Sequence, residues 1–185
     1  MTNKLSTRKI ILLSLIAVLL IVYIFQLVAS GRNDGYKISL KEIPDTILIQ
    51  NGTNPEIKIE NSNGTWLLKE GSENPEEKNM IIPAKSESVK SILDGISNIS
   101  VLGLVSKNSD NDRYGFTTDN IKVQVLKDGK ILRTLELGKN SASYQQVYGK
   151  VDDSNDVLLI SGNPRLTFGV TFENLKALID NPSVE

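Results

Sequence analysis

The sequence predicts an α+β protein in which an N-terminal transmembrane helix precedes an antiparallel, hairpin-rich sheet domain with one main amphipathic helix. Three observations predict this fold class. Residues 10–29 carry no charge, short alternating stretches are joined by tight-turn sequences, and one stretch of the domain has strong helical periodicity. Strands do not alternate with crossover helices, which favours an antiparallel sheet over a parallel one.

The amino-acid composition excludes several kinds of catalytic and metal-binding site. A chain with 39% hydrophobic and 23% charged residues is typical of a globular protein. The absence of Cys and His removes disulfides, a thiolate nucleophile, and the commonest general base and neutral metal ligand. Beyond residue 9 the chain carries 18 basic and 22 acidic residues, a net charge of −4. We therefore expect no nucleic-acid partner, no metal and no cofactor.

The N-terminal run predicts a membrane anchor. The twenty residues from Ile10 to Ala29 include fifteen Ile, Leu, Val or Phe, and as a helix they would span roughly 30 Å, the thickness of a bilayer core. A signal peptide cleaved before Gly31 is the alternative, although its apolar region is usually about 7–15 residues long. We expect a cytoplasmic tail and anchor in residues 1–30 and a single extracytoplasmic domain in residues 31–185.

The orientation depends on the flanking charges. Arg8 and Lys9 abut the apolar run and have no acid nearby, although basic residues also follow the run. Long domains cross the membrane largely regardless of their charge. We expect a single-pass protein of the cell membrane, with its N-terminus in the cytoplasm and its domain outside.

The first half of the domain predicts strands at 36–40, 46–50, 56–60 and 65–69, with Asn63-Gly64 turning the last two into a hairpin. Residues 71–79, which are acidic and contain Pro75, predict a solvated surface loop. Apolar residues then fall at helical spacing, with Ser86 predicted to cap the helix N-terminus. These helical positions are Val89, Ile92, Leu93, Ile96 and Ile99.

The second half predicts a strand at 101–106, a polar turn, and a hairpin that joins residues 121–125 to 130–137 through Asp128-Gly129. A further hairpin joins residues 144–151 to 157–160. A last short helix is predicted from Phe172 to Ile179, before Pro182.

Several motifs occur in a characteristic order along this domain. They are Trp66 in a hairpin, Pro83-Ala84, Tyr114-Gly115-Phe116, Leu135-Glu136-Leu137-Gly138 and Val157-Leu158-Leu159-Ile160. Together they resemble the DUF4340 family, a family of domains of unknown function, over about residues 56–160. The sequence departs from the family pattern at Lys85, where an acid is usual, and at Phe116, where Leu is usual.

The resemblance implies an N-terminally anchored, extracytoplasmic protein. Members of this family are often found with ABC-type transport systems of the gliding-motility kind, so the resemblance implies partners among membrane or envelope proteins. It implies no catalytic residues. The departure at Lys85 leaves helix capping to Ser86, and the departure at Phe116 implies a substitution within the core.

Two residues are candidate binding positions. Trp66 is the only Trp and could stack on a sugar or peptide, or it could pack in the core after the tight turn. Tyr114 could line a groove, or it could pack beneath a turn closed by Gly115. The Asn-Gly-Thr sequences at 51–53 and 63–65 fit glycosylation acceptors, but we interpret both as turns.

Catalytic and metal sites are not indicated. Residues 152–156 are rich in oxygen ligands but lack the Gly and Glu spacing of a calcium loop, which favours a hairpin tip. No phosphate loop or serine-nucleophile motif is present. We therefore expect no enzyme but a binding or scaffold module, such as an accessory of an ABC-type transport or envelope complex.

The alternative is an envelope carbohydrate-binding or carboxylate-dependent hydrolytic domain. An acidic cleft beside an exposed Trp66 would favour this alternative, whereas an exposed apolar patch would favour a binding module.

Overall fold

The computed structural model describes residues 7–30, 35–70, 81–108, 110–142 and 145–177. The chain divides into two compact units, residues 1–34 and residues 35–185. The predicted loop at 71–79 and the predicted end of the last helix beyond residue 177 lie outside the described residues.

The first unit contains one long helix, α1, from Thr7 to Ser30. Its stretch from Arg8 to Gln26 is long and apolar enough to cross a membrane, a property that an anchor and a signal sequence share. The hydroxyl of Ser14 donates a hydrogen bond of 2.8 Å to the carbonyl of Ile11, so the helix satisfies its own polar side chain.

The second unit is built on an antiparallel sheet. Within the described residues the sheet has ten strands: β1 Tyr36–Ser39, β2 Thr46–Asn51, β3 Ile57–Ser62, β4 Thr65–Glu70, β5 Ile82–Pro83, β6 Asn98–Ser106, β7 Ile121–Lys127, β8 Lys130–Asn140, β9 Gln146–Val151 and β10 Val157–Ser161. The spatial order is β1-β6-β10-β9-β8-β7-β2-β3-β4-β5. In the described part of this unit four helices accompany the sheet: α2 Ser86–Ser97, α3 Asn111–Tyr114, α4 Pro164–Phe168 and α5 Phe172–Leu175. The predicted α+β class with an antiparallel sheet is confirmed.

Two of the predicted tight turns have the backbone geometry that their sequences favour. Asn63 and Gly64 have φ angles of 51° and 88°, and Asp128 and Gly129 have φ angles of 50° and 76°. Positive φ at both central residues is the type I′ arrangement, whose twist matches that of the flanking strands. Each turn therefore fixes the register of the hairpin that it closes.

The sheet has one apolar face. In β7, Ile121, Val123 and Val125 are buried, whereas Lys122 and Gln124 between them point to the other side. We call the buried side the inner face and the opposite side the outer face. Three helices pack on the inner face and contribute Val89, Ile92, Ile96, Phe168, Phe172 and Leu175 to the core.

The start of α2 differs from the prediction. The residue before the helix is Lys85, whose side chain makes no capping hydrogen bond, and Ser86 is the first helical residue. The prediction that Ser86 caps the helix is therefore wrong. The backbone N–H of Lys85 instead donates to the carbonyl of Leu175 at 2.7 Å, which fixes this position to α5.

The apolar stripe of α2 is narrower than the sequence predicted. Ile92 and Ile96 are buried, but Leu93 is only half-buried against the core. Ile99 is buried in β6 and not in the helix, because α2 ends at Ser97 and the strand begins at the next residue. Ile99 therefore falls at helical spacing by chance, because it lies just after the point where α2 ends and β6 begins.

The C-terminal part of the domain contains an unpredicted helix and a shortened one. Helix α4 begins with Pro164, a favoured first helical residue, but it is too short to show periodicity. Helix α5 ends at Leu175, short of the predicted end at 179. After Leu175 the backbone becomes extended, because Lys176 pairs with Ala84 and the N–H of Ala177 donates to the carbonyl of Pro83 at 3.0 Å.

A buried arginine connects three elements. Arg133 in β8 is 6% exposed. Its Nη1 donates to the carbonyls of Ile38 and Ile96 at 3.3 and 3.4 Å, and its Nη2 donates to the carbonyl of Ser39 at 3.4 Å. Ile96 lies in the last turn of α2, where carbonyl oxygens lack helical donors and attract a cation. Arg133 therefore joins β1 and the end of α2 to the middle of the sheet.

Candidate functional site

Trp66 lies in β4, directly after the Asn63-Gly64 turn. Its side chain is half-buried and packs against the main core. Its carbonyl accepts a hydrogen bond from the N–H of Ala84 at 2.8 Å, so the residue also joins β4 to the chain after β5. This geometry fits the packing role, and a ligand role for Trp66 stays a prediction.

Tyr114 is the last residue of α3 and is 6% exposed. Its ring meets that of Tyr148 edge to face, with centroids 5.1 Å apart. Together with Phe116 and Val157 it forms a small cluster separate from the main core. Tyr114 therefore packs beneath its turn, and Phe116 is buried in this small cluster, whereas the resemblance implied a substitution within the core.

Two glycines let the turn after α3 lie close to β8. Gly115 closes α3 with a φ of 75°, and an added Cβ there would lie 2.7 Å from the backbone nitrogen of Lys139. At Gly138 an added Cβ would collide with the carbonyl oxygen of Tyr114. The backbone of the Tyr-Gly-Phe motif therefore packs directly against the backbone around Gly138, and glycine at both positions makes this close approach possible.

A polar network adjoins this cluster on the outer face. The Nζ of Lys150 lies 3.3 Å from Oδ1 of Asn111, 3.5 Å from Oε2 of Glu136, and 4.0 Å from the ring centroid of Phe116. Glu136 also accepts a hydrogen bond of 2.8 Å from Asn120. Because these groups satisfy one another, we interpret the network as structural. Sequence reasoning missed it because its members lie far apart along the chain.

The acidic stretch at 152–156 joins β9 to β10, as predicted. Asp152 has a φ of 56°, its Oδ1 accepts the N–H of Thr134 at 3.1 Å, and the same oxygen lies 3.8 Å from Nε of Arg133. Asp152 therefore positions neighbouring strands. Among the described residues no group of three or more acidic side chains is placed to hold a metal ion.

A shallow cavity lies where β9 and β10 approach α4. It has a volume of about 340 Å³ and is lined by Gln145, Gln146, Ser161, Gly162 and Asn163. The lining supplies amides and a hydroxyl but no ionisable side chain. The cavity can accept hydrogen bonds from a small polar molecule, but its lining cannot supply an acid or base at neutral pH.

Strand β6, which the edge strand β1 covers only in part, carries the most distinctive surface. None of the nine residues of β6 is charged. On one side β10 pairs with β6 as far as Ser106, whereas on the other side β1 pairs with Asn98–Val101 only. Within the part of the chain that the structure describes, residues 102–106 therefore have no strand partner on the β1 side.

Three aliphatic side chains project from this segment. Leu102, Leu104 and Val105 are 36%, 50% and 40% exposed, and we call them the β6 patch. Leu102 and Val105 have no partner in β10, so each is the extra residue of a bulge. Sequence reasoning predicted a strand here and missed the patch. The absence of charge from residues 98–106 was the signal that could have found it.

The structure does not bring the two candidate residues together. Trp66 belongs to the main core and Tyr114 to the small cluster, and neither belongs to the β6 patch. Exposed apolar side chains are instead concentrated at the edge of the sheet next to β1.

Comparison with protein families gives one match. The family described as "Domain of unknown function (DUF4340)" matches residues 76–177. This range begins later than the resemblance seen in the sequence and extends through α4 and α5, so it includes Tyr114 but not Trp66. Comparisons with curated proteins and with solved structures gave no match. Since the family match covers more than half of the chain, this protein belongs to the DUF4340 family.

Proposed function

We propose that this protein is a membrane-anchored, extracytoplasmic binding or scaffold module that contacts a protein partner through the β6 patch. The observation that carries the proposal is the patch itself. Three partly exposed aliphatic residues lie within four positions of an uncharged, incompletely paired strand. A cluster of this kind is typical of interaction surfaces, whereas isolated exposed aliphatic residues are ordinary.

The N-terminal helix supports the membrane part of the proposal. An apolar helix of this length serves as an anchor when it is not cleaved. Arg8 and Lys9 favour a cytoplasmic N-terminus, which leaves the domain on the other side of the membrane. An ABC-type transport or envelope complex is the setting that the family resemblance implies for such a module.

The two edges of the sheet differ in a way that supports a contact at β6. The β5 edge contains Pro83, and the chain at Lys176 and Ala177 hydrogen-bonds along it. Proline and a covering segment are common devices that protect a sheet edge from other chains. The exposed part of β6 has neither a charge nor a proline, so its aliphatic side chains remain available for contact.

The carbohydrate-binding or hydrolytic alternative receives less support. It requires the ring of Trp66 as an open platform beside an acidic cleft, but this ring is half-buried against the core. A hydrolytic activity of the purified protein that a single Asp or Glu substitution abolishes, with the fold intact, would favour this alternative and overturn the proposal.

Site-specific photocrosslinking in native membranes tests the proposal. A photoreactive amino acid is placed at Leu102 or Leu104, and matched controls carry it at Ile131 and Leu166, which are 58% and 78% exposed. We expect a defined protein adduct from the two β6 positions and not from the controls. If the β6 positions give no adduct, or only the adducts that the more exposed controls give, the patch is not a docking surface.

A further inference from the structure

We propose that Asn63 is a site of spontaneous covalent modification, at which the side-chain amide is lost as ammonia and the residue becomes aspartate or isoaspartate. This residue lies at the tip of the β3–β4 hairpin. The chain contains two Asn-Gly-Thr sequences, Asn51-Gly52-Thr53 and Asn63-Gly64-Thr65, and the fold holds them in different surroundings. That contrast carries the proposal.

The reaction needs an asparagine that is followed by a residue with an unhindered backbone nitrogen. The nitrogen of Gly64 loses its proton to hydroxide and attacks Cγ of Asn63, so an N–Cγ bond forms while the Cγ–Nδ2 bond breaks. Nδ2 takes a proton from water and departs as ammonia, which leaves a succinimide ring. Water then opens the ring at Cγ to give aspartate, or at the main-chain carbonyl carbon to give isoaspartate. Glycine favours the attack because it has no Cβ to crowd the nitrogen.

The sequence alone does not distinguish the two sites. Asn51 and Asn63 are each followed by Gly and Thr, and in both turns the glycine has a positive φ, 58° at Gly52 and 88° at Gly64. The two tripeptides therefore have the same intrinsic tendency to react. A difference between their rates has to come from the folded structure, which sets how easily each turn opens.

The fold restrains the turn at Asn51. Its Nδ2 donates to the carbonyl of Val170 at 3.0 Å, and the attacking nitrogen, that of Gly52, donates to the carbonyl of Asn120 at 2.9 Å. An added Cβ at Gly52 would lie 2.8 Å from the carbonyl oxygen of Thr118, so neighbouring backbone encloses the turn. Closing the ring would require both hydrogen bonds to break and this packing to open, which makes the reaction slow.

The turn at Asn63 lacks these restraints. Asn63 and both its neighbours are exposed, and its carboxamide has no hydrogen-bond partner among the described residues. The nitrogen of Gly64 donates to the exposed side chain of Asn61 at 2.9 Å, a contact for which water competes. Within the described part of the chain, an added Cβ at Gly64 would meet no heavy atom within 4 Å beyond its chain neighbours. The turn can therefore change shape, and water can reach the ring.

The two products affect the hairpin differently. Aspartate adds one negative charge, and Asp-Gly suits the same type I′ turn as Asn-Gly. Isoaspartate instead passes the main chain through the side-chain carbons, which lengthens the turn by one methylene. That turn sets the pairing of Ser62 with Thr65, directly before Trp66. Isoaspartate therefore disturbs the register of the hairpin next to the core.

Peptide mapping by mass spectrometry tests the proposal. The full-length protein in detergent is kept in mildly alkaline buffer, once folded and once unfolded in guanidinium chloride, and samples are digested over time. N63D supplies the reference for the aspartate product, and Trp66 fluorescence checks the folded state. In the folded protein we expect at least about tenfold faster loss of ammonia at Asn63 than at Asn51, with isoaspartate among the products. In the unfolded chain the two rates should agree within about twofold.

The variant N63Q is the matched control. Glutamine keeps the carboxamide, but its longer side chain forms the corresponding ring far more slowly. Loss of ammonia from the peptide that contains residue 63 should therefore stop, and loss at Asn51 should be unchanged. Loss that continues in N63Q would place the reaction at another residue of that peptide and overturn the proposal.

The folded and unfolded rates together decide the outcome. Equal rates at Asn63 and Asn51 in the folded protein would overturn the proposal, and so would a faster reaction at Asn51. A difference that persists in guanidinium chloride would overturn it too, because the neighbouring residues and not the fold would then set the rate. Aspartate without isoaspartate at position 63 would rule out the succinimide step.

Discussion

Replacing Arg133 with Met should destabilise the domain strongly, because it removes a buried guanidinium while keeping an apolar stem. Three hydrogen bonds to backbone carbonyls are lost, and each is longer than the usual 2.9–3.0 Å. Hydrogen bonds from charged donors contribute about 1.5–3 kcal/mol each to the free energy of unfolding, and these long bonds contribute less. The substitution also removes a charge that is costly to bury, which offsets part of the loss. We expect the free energy of unfolding to fall by about 2–4 kcal/mol.

Urea unfolding of the full-length protein in detergent, followed by Trp66 fluorescence, measures this loss. Trp66 is the only Trp and packs against the core, so its signal reports on the domain and not on α1. The midpoint should move down by about 1–2 M urea if the slope is unchanged. The matched variant R113M removes an exposed guanidinium whose carbon lies 5.6 Å from the ring centroid of Tyr114, and it should cost below about 1 kcal/mol. A loss below about 0.5 kcal/mol for R133M would refute the role assigned to Arg133.

Three further predictions use the same unfolding measurement. Ile92→Ala should cost about 2–5 kcal/mol because the side chain is buried, whereas Leu93→Ala should cost about 1–2 kcal/mol, and equal losses would contradict the placement of α2. Gly138→Ala should cost about 3 kcal/mol because its Cβ meets the turn after α3, and a neutral result would contradict that contact. The backbone N–H of Asp128 donates to the carboxylate of Asp45 and lowers the pKa of this carboxylate below 3.8. The stabilisation of the folded state by this hydrogen bond is therefore complete above about pH 4 and is lost as the pH falls through the lowered pKa. The stability difference between wild type and Asp45→Asn should therefore shrink below about pH 4, and a difference that stays constant to pH 3 would contradict this pairing.

Local signals in the sequence predicted the hairpins well. Asn63-Gly64 and Asp128-Gly129 need positive φ, and few other dipeptides adopt it at low cost, so the turn and the register follow from two residues. The main helix was predicted by its periodicity, but its ends were not. The prediction of the cap failed because the N–H of Lys85 donates a backbone hydrogen bond to the carbonyl of Leu175, a distant part of the chain that local reasoning cannot detect.

The order of the strands could not be predicted because it depends on pairings between distant residues. The sheet places β6 between β1 and β10, so residues 36–39, 98–106 and 157–161 become neighbours. The β6 patch arises from this arrangement, since among the described strands the exposure of Leu104 depends on where β1 begins beside β6. The two candidate residues of the sequence, Trp66 and Tyr114, were conspicuous by residue type, but both pack inside the domain.

The position of β1 beside β6 is fixed by the same arginine that stabilises the fold. Arg133 binds the carbonyls of Ile38 and Ser39 in β1, and Ile38 also packs against the core. The N–H of Leu40 further donates to the carbonyl of Ser97 at 2.9 Å. These contacts fix the register of β1 on β6, so β1 cannot slide along β6 to cover residues 102–106. The patch is therefore presented in a fixed geometry, and a partner that binds it does not first have to displace β1.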